Sequence, residues 1–163
     1  GLRVMGIDPG LVETGYGVLE AGPGRLSVLD SGVIATLPAA PLDVRLHALF
    51  DAVHRLLERF APGLLVVEDL YSEYKYPKTA ILMGHARGVI YLAARQREIP
   101  LLALAPSEMK RAVAANGAAS KAQVQRGVQR LLGLPSLPRP SHVADALGLA
   151  AVGLSRVTGR LPG

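Results

Sequence analysis

Residues 2–10 read Leu2-Arg3-Val4-Met5-Gly6-Ile7-Asp8-Pro9-Gly10. A largely apolar run stopped by Pro-Gly predicts a buried strand that ends on Asp8. Gly6 and Gly10 flank this carboxylate and let other groups approach its backbone. Outward from it, Val12 to Glu20 and Arg25 to Thr36 read as two further strands joined through the turn Gly22-Pro23-Gly24. Three successive strands with short connections predict an antiparallel meander.

The remainder alternates between helix and strand. Leu42, Leu46, Leu49, Phe50, Val53, Leu56, Leu57 and Phe60 recur at spacings of three and four, the pattern of an amphipathic helix, which Pro62-Gly63 ends. Leu64 to Val67 is a short, wholly apolar strand, so both of its faces are expected to be buried. Glu68 and Asp69 stand where it emerges. Tyr71 to Lys78 reads as a polar, aromatic loop, Lys78 to Arg97 as a long helix, Pro100 to Ala103 as a fifth strand and Ser107 to Ala115 as a short helix. Ser120 is expected to cap a helix reaching Leu132, and Ser141 to cap a last, very apolar helix through Leu154. No repeat or linker is visible, so residues 1–163 read as a single α/β domain.

Half of the 163 residues are hydrophobic, enough for one sizeable core. The absence of cysteine excludes disulfides, thiolate zinc sites and cysteine nucleophiles, and fits a reducing cytoplasm. No targeting segment or membrane span is expected. The net charge of +5 is unevenly spread: Tyr71 to Arg130 carries ten Lys/Arg against three Asp/Glu, the rest of the chain eight against ten. A basic stretch of this kind suits a polyanionic partner.

Asp8 and Glu68 each end an apolar strand, and Asp145 lies in the first turn of the last helix, with His142 three residues before it on the same face. Each has a simpler reading alone: a turn residue, a wetted strand end, a carboxylate favouring a helix dipole, a structural histidine. Together they place three carboxylates and an imidazole at the ends of core elements, where an ionised carboxylate needs a partner or a cation. Oxygen donors with few imidazoles suit Mg²⁺ or Mn²⁺.

Gly6-Ile7-Asp8-Pro9-Gly10 with Thr14-Gly15-Tyr16-Gly17 resembles the opening of the RuvC family of Holliday-junction resolvases. So do Val67-Glu68, Gly84-His85-Ala86-Arg87-Gly88, Lys121-Ala122-Gln123-Val124-Gln125 and Ala144-Asp145-Ala146-Leu147, in order and spacing from about Arg3 to Ser155. The resemblance implies a ribonuclease H-like fold, a mixed five-stranded sheet flanked by helices. It implies a homodimer that resolves four-way junction DNA by paired nicks in recombination and repair, with Mg²⁺ or Mn²⁺, two ions per site, as cofactor. It raises the RuvA–RuvB branch-migration complex as a candidate partner. It assigns metal binding to Asp8, Glu68, Asp145 and position 142, where many members carry Asp and this chain has His142. It places Lys110 and Lys121 near the scissile strand, with Lys121 counted among the catalytic groups, and an aromatic wedge near Tyr71. Tyr74, Lys75, Lys78 and Arg111 complete the expected DNA contacts.

Three rivals remain in view. Actin-type ATPases share an Asp-centred opening turn but need a second such turn and a second lobe, which this chain lacks. A ribonuclease H-like nuclease acting on RNA precursors shares the opening motif; the basic stretch with tyrosines favours the junction resolvases. A junction binder without catalysis would not need four metal-ligand candidates.

Overall fold

A computed structural model describes residues 1–10, 12–69 and 75–159. Five strands form one sheet: β1 (Arg3–Asp8), β2 (Glu13–Gly22), β3 (Arg25–Ala35), β4 (Leu64–Glu68) and β5 (Leu101–Leu104). Their order is β3-β2-β1-β4-β5. β1, β2 and β3 form the expected antiparallel meander, while β4 runs parallel to β1 and β5 parallel to β4. The sheet is therefore mixed, and β1 and β4 lie side by side at its centre, their ends at the same edge.

Helices cover both faces. α1 (Leu42–Phe60) and α2 (Pro77–Gln96) bury Leu49, Val53, Leu57 and Ile90 against Met5, Ile7, Leu65 and Val67. α3 (Pro106–Ala114), α4 (Lys121–Leu132) and α5 (Ser141–Thr158) pack on the opposite face with Val4 and Val66. Period-two alternation makes this partition: odd residues of β1 and β4 face α1 and α2, even residues face α5. Asp8 and Glu68 are both even, and so project on the α5 face.

Several helix boundaries differ from the sequence expectation. α2 and α3 begin on Pro77 and Pro106, one residue earlier, because proline at the first helical position gives up no bond the helix needs. Ser120 caps α4 as expected, in a reciprocal pair with Gln123. Ser141 does not cap α5; it is the first residue of that helix, because the extended backbone of Pro140 (ψ −179°) starts it one residue sooner. α5 runs on to Thr158, where Gly159 closes it at φ 82°.

Close approach of α5 to the sheet depends on glycines. A Cβ at Gly6 would lie 2.0 Å from the Ala146 carbonyl oxygen, and one at Gly15 would lie 2.2 Å from that of His142. Gly15 is the β2 partner of Asp8 across the ladder, so it sets how near the start of α5 comes to that carboxylate. Gly15→Ala is expected to lower stability by about 2–3 kcal/mol, since helix backbone rather than a flexible side chain must move. Equilibrium urea unfolding measures this, and a loss under about 0.5 kcal/mol would show that α5 shifts freely.

Candidate metal centre

Asp8 ends β1, Glu68 ends β4 and Asp145 sits one turn into α5. One ligand oxygen from each lies within 4.8 Å of the other two, and among the described residues this is the acidic cluster able to hold a metal ion. Asp8 is the deepest, only 7% exposed. Its backbone turn is tied by the Gly10 amide, which donates to the hydroxyl of the buried Thr14 at 3.4 Å.

Packing three carboxylates at a core edge raises the pKa of each. Burial, then the charges of Glu68 and Asp145, push Asp8 up to about 9. Burial and the charge of Asp145 raise Glu68 to about 7, opposed by Lys110 and Arg87. Burial also raises Asp145, while Lys110, His142 and Lys121 pull it down. A cluster this reluctant to ionise lacks positive charge, and its all-oxygen donors fit a hard divalent cation.

The remaining site residues fall into distinct positions. His142, half-exposed, brings Nδ1 to 3.3 Å from Asp8 Oδ2 at the rim, beside the carboxylate cluster. Lys110 on α3 and Lys121 at the start of α4 lend their charges to the cluster from across the α5 face. Arg111 is exposed on α3, Lys78 is exposed at the start of α2, and Lys75 is exposed just before that helix, with Nζ 5.7 Å from the Tyr76 ring centroid. Tyr71 and Tyr74 lie outside the described residues.

Arg87 was not singled out by sequence reasoning. It is nearly buried on α2 and donates through Nη1 to the Glu68 backbone carbonyl. Through Nη2 it donates to Tyr91 Oη at 2.6 Å and reaches Asp69 Oδ1 at 3.4 Å. The available signal was an arginine amid the small residues Gly84, Ala86 and Gly88, on the helix that follows Glu68.

A mixed sheet whose two central strands each end on a carboxylate, completed by a third from a helix laid over them, defines a nuclease of the ribonuclease H-like class. The family model described as "Crossover junction endodeoxyribonuclease RuvC" matches residues 4–153. A protein of that name from Pelotomaculum thermopropionicum is 41% identical over 149 residues, covering 91% of this chain and 90% of the relative. Another from Thermotoga maritima is 40% identical over 149 residues, covering 91% and 88%. The solved structure of T. thermophilus RuvC in complex with Holliday junction substrate superposes with a TM-score of 0.87 at 34% identity, covering 97% of each chain. The chain belongs to the RuvC family of crossover junction endodeoxyribonucleases.

Proposed function

We propose that this chain, as one domain spanning residues 1–163, resolves four-way DNA junctions by paired, symmetric nicks in recombination and repair in the cytoplasm. The observation that carries this reading is the convergence of Asp8, Glu68 and Asp145 within 4.8 Å, beside a chain segment rich in Lys and Arg. Family membership supports the substrate class, since a structural relative was solved on a Holliday junction.

Two divalent ions, Mg²⁺ or Mn²⁺, would when bound supply water activation and neutralise the leaving 3′-oxygen. Asp8, the deepest carboxylate, would be a ligand common to both ions. Glu68 would hold one ion, and Asp145 with His142 the other. Lys110 and Lys121 stand near enough to the carboxylates for their charges to be felt there. The lysines hold the scissile phosphate and offset its growing charge. Lys75, Lys78 and Arg111 contribute backbone contacts of the sequence-independent kind. Tyr71 and Tyr74 are the proposed wedge. Phosphodiester hydrolysis at such a site needs no covalent link to the protein and leaves a 5′-phosphate.

Two nicks related by symmetry require two such centres. Ile81, Gly84, His85, Gly88 and Leu92 line one exposed stripe of α2, with Ile81 62% and Leu92 53% exposed. That stripe is the proposed homodimer surface. The RuvA–RuvB complex stays a proposed partner.

The deciding experiment incubates the chain with a synthetic four-way junction, with and without Mn²⁺, beside linear duplex and RNA. Metal-dependent, paired cutting of the junction alone is expected. Preferential cutting of RNA, or junction binding without cutting, would overturn the reading. Within it, Lys121→Ala is expected to slow single-turnover cleavage about 30-fold or more, some 2 kcal/mol. Junction affinity should weaken only about threefold, as one phosphate contact among many. Equal losses would reduce Lys121 to an ordinary backbone contact. His142→Asp is expected to shift metal preference from Mn²⁺ toward Mg²⁺ by roughly tenfold in the ratio of half-saturating concentrations, since carboxylate is the harder ligand. An unchanged ratio would remove His142 from the ligand set.

A further inference from the structure

We infer that Arg87 is a positioning residue for Glu68, taking the place of a ladder hydrogen bond that Pro9 cannot make. The inference rests on the reading of Glu68 as a metal ligand.

The argument begins with the register of the parallel pair β1 and β4. Ile7 lies opposite Val67 and Gly6 opposite Val66. Leu65 N–H donates to the Pro100 carbonyl and Asp69 N–H to that of Leu104, so the odd residues of β4 direct their backbone groups toward β5. Even residues, Glu68 among them, direct theirs toward β1. In a parallel ladder a carbonyl accepts from the residue one beyond its cross-strand partner. The register therefore offers the Glu68 carbonyl the amide of residue 9, which is proline and has no N–H. The carbonyl at the very end of β4 would be left without its donor.

Arg87 supplies that donor from α2. Its guanidinium reaches the Glu68 carbonyl with one nitrogen, and spans Tyr91 Oη and the Asp69 carboxylate with the other. Its side chain is only 9% exposed, so it is not a DNA contact. A rigid fork bound at these points fixes the peptide plane between Glu68 and Asp69. That plane sets the direction in which the Glu68 side chain leaves the strand. Two short motifs far apart in sequence, Asp8-Pro9-Gly10 and Ala86-Arg87-Gly88, thereby act on one peptide group.

The test is calorimetric titration of Mn²⁺ into the metal-free full chain, so that no cleavage is required. R87M is expected to weaken Mn²⁺ affinity about 10- to 30-fold, and R87K about threefold because it keeps the charge and one donor. Junction binding in chelator should change less than about twofold in either, because DNA affinity comes from exposed Lys and Arg. The specific check is P9A, which restores an N–H at residue 9. It is expected to recover at least about threefold of the affinity lost in R87M, and to have no comparable benefit in the chain that retains Arg87. The inference is overturned if R87M binds Mn²⁺ within about twofold of wild type, or if P9A acts equally in both backgrounds. Should circular dichroism show R87M unfolded, R87K decides: wild-type Mn²⁺ affinity in R87K overturns the inference. Failure of the wild-type chain to bind Mn²⁺ at all would instead refute the metal-centre reading itself.

Discussion

Asp8→Asn is expected to reduce single-turnover junction cleavage by at least about 10³-fold, a barrier increase of about 4 kcal/mol. Asn keeps the shape of Asp but removes the charge of the deepest residue in the cluster with Glu68 and Asp145. The reaction depends on that charge twice if Asp8 is shared between two cation positions. Junction affinity should stay within about threefold, because it resides in Lys and Arg at the surface. Cleavage on a synthetic four-way junction and gel-shift binding in chelator measure the two separately. Cutting within tenfold of wild type would remove Asp8 from the centre, and a parallel loss of binding would indicate damage to the fold.

The second large effect concerns stability in the absence of metal. The folded chain holds a proton on Asp8 up to about pH 9, whereas an unfolded aspartate releases it near its ordinary value of 3.8. Glu68 behaves alike, titrating near 7 in place of 4.5. Between these limits the folded state binds more protons than the unfolded one, so stability falls as pH rises. Groups shifted the other way, such as Glu20 held down by Arg3, act only on the acid side of this window. In chelator, the thermal midpoint is therefore expected to drop by about 5–10 °C between pH 5 and pH 9, the equivalent of about 2–3 kcal/mol. Saturating Mn²⁺ should remove most of this slope, because the cation replaces the protons, and should stabilise more at pH 8.5 than at pH 6. Asp8→Asn should flatten the metal-free profile and raise the midpoint at pH 8. Calorimetry of both proteins across pH tests this, and identical slopes would mean that burial places no such load on Asp8.

Much of this molecule is written in local patterns. The meander, a short β4 buried on both faces and the two long helices follow from patterns that any short window carries. The candidates Asp8, Glu68, Asp145 and His142 could be named because each sits where an apolar element meets a break, whereas Lys110 and Lys121 were picked out of the basic stretch by the family resemblance. Helix starts at Pro77 and Pro106 were displaced by one residue because the first helical position tolerates proline and the pattern of apolar residues is blind to it, and α5 starts at Ser141 because the extended Pro140 takes the capping position. Arg87 was seen only as part of a motif, because nothing in its neighbourhood in sequence announces which carbonyl it will meet.

Sequence by itself determined that Asp8 and Glu68 face the same side of their strands as Val4 and Val66, since period two is a property of the extended chain. It also determined that the last helix would be buried nearly all round, from its run of small and apolar residues. Only tertiary structure decided that these carboxylates meet. Their convergence depends on β4 pairing beside β1, and on α5 docking where Gly6 and Gly15 let its backbone come close. The role of Arg87 likewise exists only once the parallel register sets Glu68 against a proline. Such pairings join residues far apart along the chain. They are chosen by which packing of the whole sheet and its helices is best satisfied, a quantity that no local window contains.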